Sequence, residues 1–238
     1  MDIKENIKTL IVKKELKLDC GQVINNFPLA YETYGSLNEK KDNAILVCHA
    51  LTGDQFVTGL NPMTKKEGWW SYAVGPKKSI DTNKYFVICV NVIGGCMGSF
   101  GPSHINPKTK KVYGIDFPVI TINDIVNAQI NLLDHFGIKK LFSVIGGSMG
   151  GMQVLQFASN FPDRVKTVVP IACTSNHSAQ NIALNELGRQ AITADHNWMA
   201  GEYLSKNVAP NKGLSVARMA AHITCLLYTS PSPRDLST

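Results

Sequence analysis

The chain has 238 residues, 44% hydrophobic and 18% charged, enough for one large domain with a substantial core. Its formal charge of +6 is scattered over short lysine pairs such as Lys13-Lys14, Lys40-Lys41, Lys65-Lys66, Lys77-Lys78 and Lys110-Lys111. That pattern reads as solvated surface in preference to a nucleic-acid-binding stripe. No apolar run approaches membrane-spanning length, and the opening MDIKENIKTL carries acids and no apolar block. Neither a membrane segment nor a signal peptide is expected, and a cytoplasmic location follows. The cysteines form no C-x-x-C pair and the histidines no metal-ligand spacing, so no metal site is expected. Cys48, Cys89 and Cys173 sit in apolar strand-like runs and are predicted to be buried thiols.

In chain order, Gln22 to Tyr34 reads as antiparallel edge structure. Ala44 to Cys48, Tyr85 to Val90, Leu141 to Ile145 and Thr167 to Ile171 are apolar runs without polar alternation. They have the look of parallel strands buried on both faces. Pro170 places the last of them near a strand end. A helix is predicted from Asn123 to Phe136, with Thr121 and Asp124 as a capping box, Val126, Ile130 and Leu133 on one face, and Gly137 as its stop. A second helix should begin directly after Ser148 and end before Pro162. Strand and helix alternating in this way imply an α/β fold with a mainly parallel sheet flanked by helices. From Asn181 to about Thr224 the pattern is helical, broken at Gly201 and around Pro210 to Gly213, as in a helical lid. The last stretch, from Leu226 to Thr238, is rich in Ser, Thr and Pro and is expected to form no core element.

The chemistry centres on Gly146-Gly147-Ser148-Met149-Gly150, a G-x-S-x-G string between a predicted strand and a predicted helix. That context suits a nucleophile elbow, in which small residues flank a serine held on a strained turn. The helix start behind Ser148 offers free amides and a positive dipole end to a developing oxyanion. A second donor is required from the loop after an earlier strand, and His49-Ala50-Leu51-Thr52-Gly53 is placed for it. The amides of Leu51 and Met149 are the predicted pair.

On these residues the chain resembles the homoserine O-acetyltransferase family, acyl-CoA-dependent acyltransferases with the α/β-hydrolase fold. The resemblance runs from Leu29 to Thr224. It includes YETYG from Tyr31, CHALTG from Cys48, GWW from Gly68, the loop from Asn91 to Pro102, and DFPVIT from Asp116. It continues through GGSMGGMQ from Gly146, QNIA from Gln180 and ARM from Ala217. Phe100 departs from the family, which has threonine there. The resemblance implies an α/β-hydrolase core over residues 1–174, a partial helical lid over 175–225 and a non-native tail over 226–238.

It also implies a ping-pong transfer in methionine biosynthesis, with acetyl-CoA as co-substrate and no bound cofactor. Ser148 would accept the acetyl group from acetyl-CoA and pass it to homoserine. Arg218 would hold the homoserine carboxylate, and the full-length protein would be a homodimer. The family's triad Asp and His follow further strands beyond the lid, and His177, His196 and His222 fall in the lid instead. The chain is therefore expected to be a C-terminally truncated, inactive fragment lacking the last strands of the sheet. Succinyl transfer, serine as acceptor, ester hydrolysis and a non-catalytic scaffold are the alternatives.

Overall fold

The computed structural model describes residues 7–226, which form two compact units. One comprises residues up to 104 together with 117–175; the other comprises 105–116 and the residues from 176 onward.

The first unit is built on a six-stranded sheet. In chain order its strands are β1 (Thr9–Val12), β4 (Phe27–Tyr34), β5 (Ala44–Cys48), β8 (Phe86–Val90), β9 (Leu141–Gly147) and β10 (Val165–Ile171). Short pairs, β2 (Leu16–Lys17) with β3 (Val23–Ile24) and β6 (Val74–Gly75) with β7 (Ile80–Asp81), lie apart from it. Across the sheet the order is β1-β4-β8-β5-β9-β10. β8, β5, β9 and β10 run parallel, whereas β1, β4 and β8 pair antiparallel. The predicted parallel sheet is thus present, but β4 is not an edge. It pairs with β1 on one side and β8 on the other, and the four-residue β1 has no counterpart in the sequence reading.

β5 and β8 are buried along their whole length, as their unbroken apolar runs predict. Their side chains alternate between two cores. Ala44, Leu46, Cys48, Ile88 and Val90 face the layer of α1 (Ile122–His135) and α2 (Met149–Asn160). Ile45, Val47, Val87 and Cys89 face Val57, Val74 and Ile80 on the other side. β10 differs from expectation, because Val165 is its one buried residue and Val168, Val169 and Ile171 are exposed. It stands last in the strand order, so among the described residues it pairs only with β9. Cys173, beyond its end, is half-buried and not a core thiol.

α1 begins as its sequence dictates. The Thr121 hydroxyl accepts from the Asp124 amide, and the Asp124 carboxylate accepts in return from the Thr121 amide at 2.9 Å. Val126 and Leu133 are buried and Ile130 half-buried. α2 runs from Met149 to Asn160 and packs against β9, β10, β5 and α1.

In the second unit, α3 (Ala179–Thr193) packs on α4 (Asn211–Leu226), and a kinked 3-10 segment joins them. Met199, Ala200 and Gly201 all take positive φ at the kink, where the sequence placed a break. Gly213 lies inside α4 and not at a break. A Cβ there would come within 2.3 Å of the Ala191 carbonyl, so glycine permits close packing on α3. The predicted unstructured stretch after Leu226 lies outside the described residues. Among the described residues no helix is long and apolar enough to cross a membrane.

Candidate active site

In parallel strands the carboxyl ends share one edge of the sheet, and the loops leaving them converge there. Here those loops are His49 to Gly53 after β5, Asn91 to Pro102 after β8 and the turn at Ser148 after β9. Ser148 is exposed, between the last residue of β9 and the first of α2. Its backbone has φ 56° and ψ −123°, a region that disfavours any side chain. The strain is held from below, because the Ser148 amide donates to the Ile171 carbonyl at 3.0 Å.

The glycines around it have separate physical reasons. A Cβ at Gly150 would lie 2.1 Å from the Cys48 carbonyl oxygen, and one at Gly146 would lie 2.6 Å from the Gly150 backbone. A Cβ at Gly151 would meet the Cys173 Sγ at 2.6 Å. A Cβ at Gly147, in contrast, would have only the Ile171 oxygen at 3.9 Å, an ordinary contact. The first and last glycines of the string therefore let α2 descend onto the end of β5.

That descent sets α2 beside the loop predicted to supply the second donor. Among the described residues, neither the Leu51 amide nor the Met149 amide donates a hydrogen bond. Leu51 itself is 75% exposed, so its side chain does not anchor the loop. His49 does. It is buried, with Nδ1 at 2.7 Å from the Ala50 carbonyl and Nε2 accepting from the Val92 amide at 3.1 Å. A ring nitrogen that accepts is unprotonated, so the proton resides on Nδ1 and the imidazole is neutral. Burial pushes its pKa below the ordinary 6.5, against the opposing pull of the Ala50 carbonyl. His49 therefore packs as a core histidine that ties two loops together.

The glycine loop after β8 folds around Asn91. Its Oδ1 accepts from the Met97 amide at 3.2 Å, while its backbone carbonyl accepts the Ser99 hydroxyl. Ser99 Oγ in turn accepts from the Ala30 amide at 2.9 Å, joining the loop to β4. Phe100 turns inward, against Phe27, His104 and Phe117 at ring separations of 6.4, 5.5 and 5.0 Å.

Sequence reasoning passed over two buried amides. Gln153 on α2 donates from Nε2 to the His49 carbonyl at 3.1 Å, and its Oε1 accepts from Gln129 Nε2 on α1 at 2.8 Å. Gln129 falls on the stripe of Ile125, Val126, Leu132 and Leu133, where a polar residue signals an internal partner. Arg218 lies exposed on α4 in the second unit, with no ion pair among the described residues. Among the described residues no histidine or carboxylate hydrogen-bonds to Ser148, and no group of metal-ligating residues occurs. An open depression of about 260 Å³ lies elsewhere, lined by Glu32, Tyr34, Phe56 and Thr58.

This geometry has counterparts. The chain is 74% identical over 226 residues to the homoserine O-acetyltransferase of Pelagibacter ubique, the match covering 95% of the chain and 61% of that protein. The homoserine O-acetyltransferase of Mesorhizobium japonicum is 61% identical over 213 residues, covering 90% of the chain and 55% of the relative. The chain thus spans little more than half the length of these relatives. Among solved structures, a homoserine O-acetyltransferase from Bacillus anthracis superposes with TM-score 0.84 at 32% identity, over 92% of the chain and 60% of its own. An acetylester hydrolase from Corynebacterium glutamicum gives TM-score 0.75 at 32% identity, over 90% of the chain and 57% of its own. The α/β hydrolase fold family matches residues 43–227, and the chain belongs to it.

Proposed function

We propose that the chain carries the nucleophile half of a homoserine O-acetyltransferase, with Ser148 as the acylated residue. The observation that supports it best is an exposed, strained serine at the head of α2, next to the Met149 amide, which donates to no group among the described residues. In the first step the Ser148 oxygen bonds to the acetyl carbon of acetyl-CoA while the carbon–sulfur bond breaks. The hydroxyl proton passes through a base to the CoA thiolate. The tetrahedral oxyanion rests on the Leu51 and Met149 amides, where preorganised donors lower the barrier. In the second step the homoserine hydroxyl attacks the acyl-serine, the Ser148 oxygen leaves, and the proton returns to it.

Arg218, exposed on α4, is assigned to the homoserine carboxylate, which a guanidinium can bind through two parallel hydrogen bonds. The base and its carboxylate partner are assigned to the length that the relatives have beyond this match. Such a base raises the nucleophilicity of an otherwise weakly reactive hydroxyl.

The test uses the chain alone and a chimera in which it replaces the matching part of the Pelagibacter relative. The chimera should gain an acetyl group on Ser148 and release CoA thiol steadily only when homoserine is present. Ser148→Ala should abolish both, and substantial turnover in that variant would overturn the assignment. The chain alone should be inactive. The structural likeness to an acetylester hydrolase favours water as a competing acceptor. Thiol release that homoserine does not accelerate would support that second reading, and parallel assays with succinyl-CoA and serine address the other substrates.

A further inference from the structure

Leu51 projects into solvent, so its side chain does not fix the direction of its amide. The turn that carries it closes on Ala50, with the Gly53 amide donating to the Ala50 carbonyl at 2.9 Å. That leaves His49 as the anchor. Its ring is held by the β8 loop, and its backbone carbonyl is held by Gln153 Nε2 at 3.1 Å. Gln153 belongs to α2, the helix that begins with the other amide, and also approaches the Met149 carbonyl at 3.4 Å. One side chain thus spans from the helix of one donor to the loop of the other. Its amide has only one workable orientation, because the His49 carbonyl can only accept and so must face Nε2, leaving Oε1 to accept from Gln129 Nε2 at 2.8 Å. All three residues are buried, where an unmade hydrogen bond is expensive and the made one rigid.

We infer that Gln153 is a positioning residue for the oxyanion pocket, setting the Leu51 amide relative to the Met149 amide. The inference rests on the nucleophile reading of Ser148 for its catalytic meaning, but the coupling it describes is measurable without any reaction. Gln153→Met keeps the volume and removes all of the side chain's hydrogen bonds. Gln153→Glu keeps the shape and makes the clasp depend on protonation. The protonated acid has an O–H for the His49 carbonyl and an oxygen for Gln129, whereas the carboxylate has no donor. Burial raises a carboxyl pKa, so this switch should fall between about pH 8 and about pH 5.

The first measurement is the amide order parameter of Leu51 in the isotope-labelled chain. A value near ~0.85 is expected in the parent and below ~0.6 in Gln153→Met. Gln153→Glu should be mobile at high pH and ordered at low pH, with the parent unchanged across that range. Equal Leu51 order in parent and variants would overturn the inference whatever happens to the melting temperature.

The second measurement is steady-state kinetics of the chimera at a temperature where each variant is folded. Both half-reactions pass through an oxyanion, so kcat should fall about 10-fold to 100-fold with KM nearly unchanged. Here too Gln153→Glu should recover at low pH relative to the parent. A rise in KM alone, or a loss in Gln153→Glu that pH does not modulate, would overturn the inference. If Gln153→Met does not fold, the pH comparison of Gln153→Glu decides. An Leu51 amide that responds to Gln153, in a protein where Ser148→Ala stays active, would sink the nucleophile reading and leave the coupling intact.

Discussion

Gly150→Ala isolates the contact that seats the elbow helix on β5. The added Cβ would lie 2.1 Å from the Cys48 oxygen and 2.9 Å from its carbon. Side-chain carbons do not approach closer than 3.0 Å, so one backbone must retreat by 3.0 − 2.1 = 0.9 Å. Neither has easy room, since Cys48 ends a fully buried strand paired on both sides. Alanine returns up to about 1 kcal/mol through helix propensity. Overpacking of a tight interior opposes it with about 1–3 kcal/mol or more for a rigid backbone clash, so a net loss of roughly 1–2 kcal/mol is expected. For a chain of this size that lowers the melting temperature by about 2–8 °C.

The neighbouring Gly147→Ala is the control. Its Cβ meets nothing nearer than 3.9 Å, so its melting temperature should stay within about 2 °C of the parent. Paired thermal melts by circular dichroism read both. If Gly150→Ala melts with the parent, or if Gly147→Ala is the more damaging, the close-approach argument is wrong. In the chimera the same 0.9 Å displacement should also reduce acyl transfer, because it moves the loop after β5 away from the Met149 amide.

His49 makes stability depend on pH. The unfolded chain takes a proton near 6.5 that the buried, neutral ring resists, so stability is full above that value and falls as the pH drops below it. Half-buried Asp54 has its carboxyl pushed above 3.8 by desolvation and acts in the opposite sense at lower pH. The comparison is therefore the decline in melting temperature from about pH 7 to about pH 5.5. It should flatten in His49→Gln, and an unchanged slope would refute the assignment. Phe100→Thr removes a half-buried ring from contact with Phe27 and Phe117 and should cost about 1–3 kcal/mol in urea unfolding. Arg218→Lys in the chimera should raise KM for homoserine with acyl-enzyme formation intact, since lysine loses the two-pronged carboxylate contact; equal loss of both half-reactions argues against that role.

Features specified within a few residues were legible in the sequence. The capping box at Thr121 and Asp124, the stop at Gly137, the start of α2 behind Ser148 and the kink at Gly201 all follow from local backbone chemistry. The runs of β5 and β8 announced their burial because both faces of each strand are covered. β10 has an equally apolar run, but its exposure depends on which strands lie beside it, and no local pattern encodes that. The same applies to β4, whose place between β1 and β8 is a matter of pairing across the sheet. β1 is four residues flanked by lysines, too brief for a periodic signal. In the candidate site, the elbow could be read from five adjacent residues. The links of His49 to Val92 and of Gln129 to Gln153 join positions 43 and 24 residues apart. Only the misplaced polarity of Gln129 on an apolar stripe hinted at them.

The backbone at Ser148 has a consequence for anyone seeking a hardier protein. A serine held at φ 56° and ψ −123° stores about 1–3 kcal/mol of unfavourable conformation that glycine would not carry. Glycine gives some of that back through a more flexible unfolded chain, about 0.5–1 kcal/mol. Ser148→Gly should therefore fold as well as the parent or up to about 2 kcal/mol better, while losing the hydroxyl. A library screened for thermal resistance alone would enrich this change and discard the one side chain on which the proposed chemistry depends. Selection for robustness and selection for turnover pull in opposite directions at this residue, so any stabilisation campaign should hold position 148 fixed.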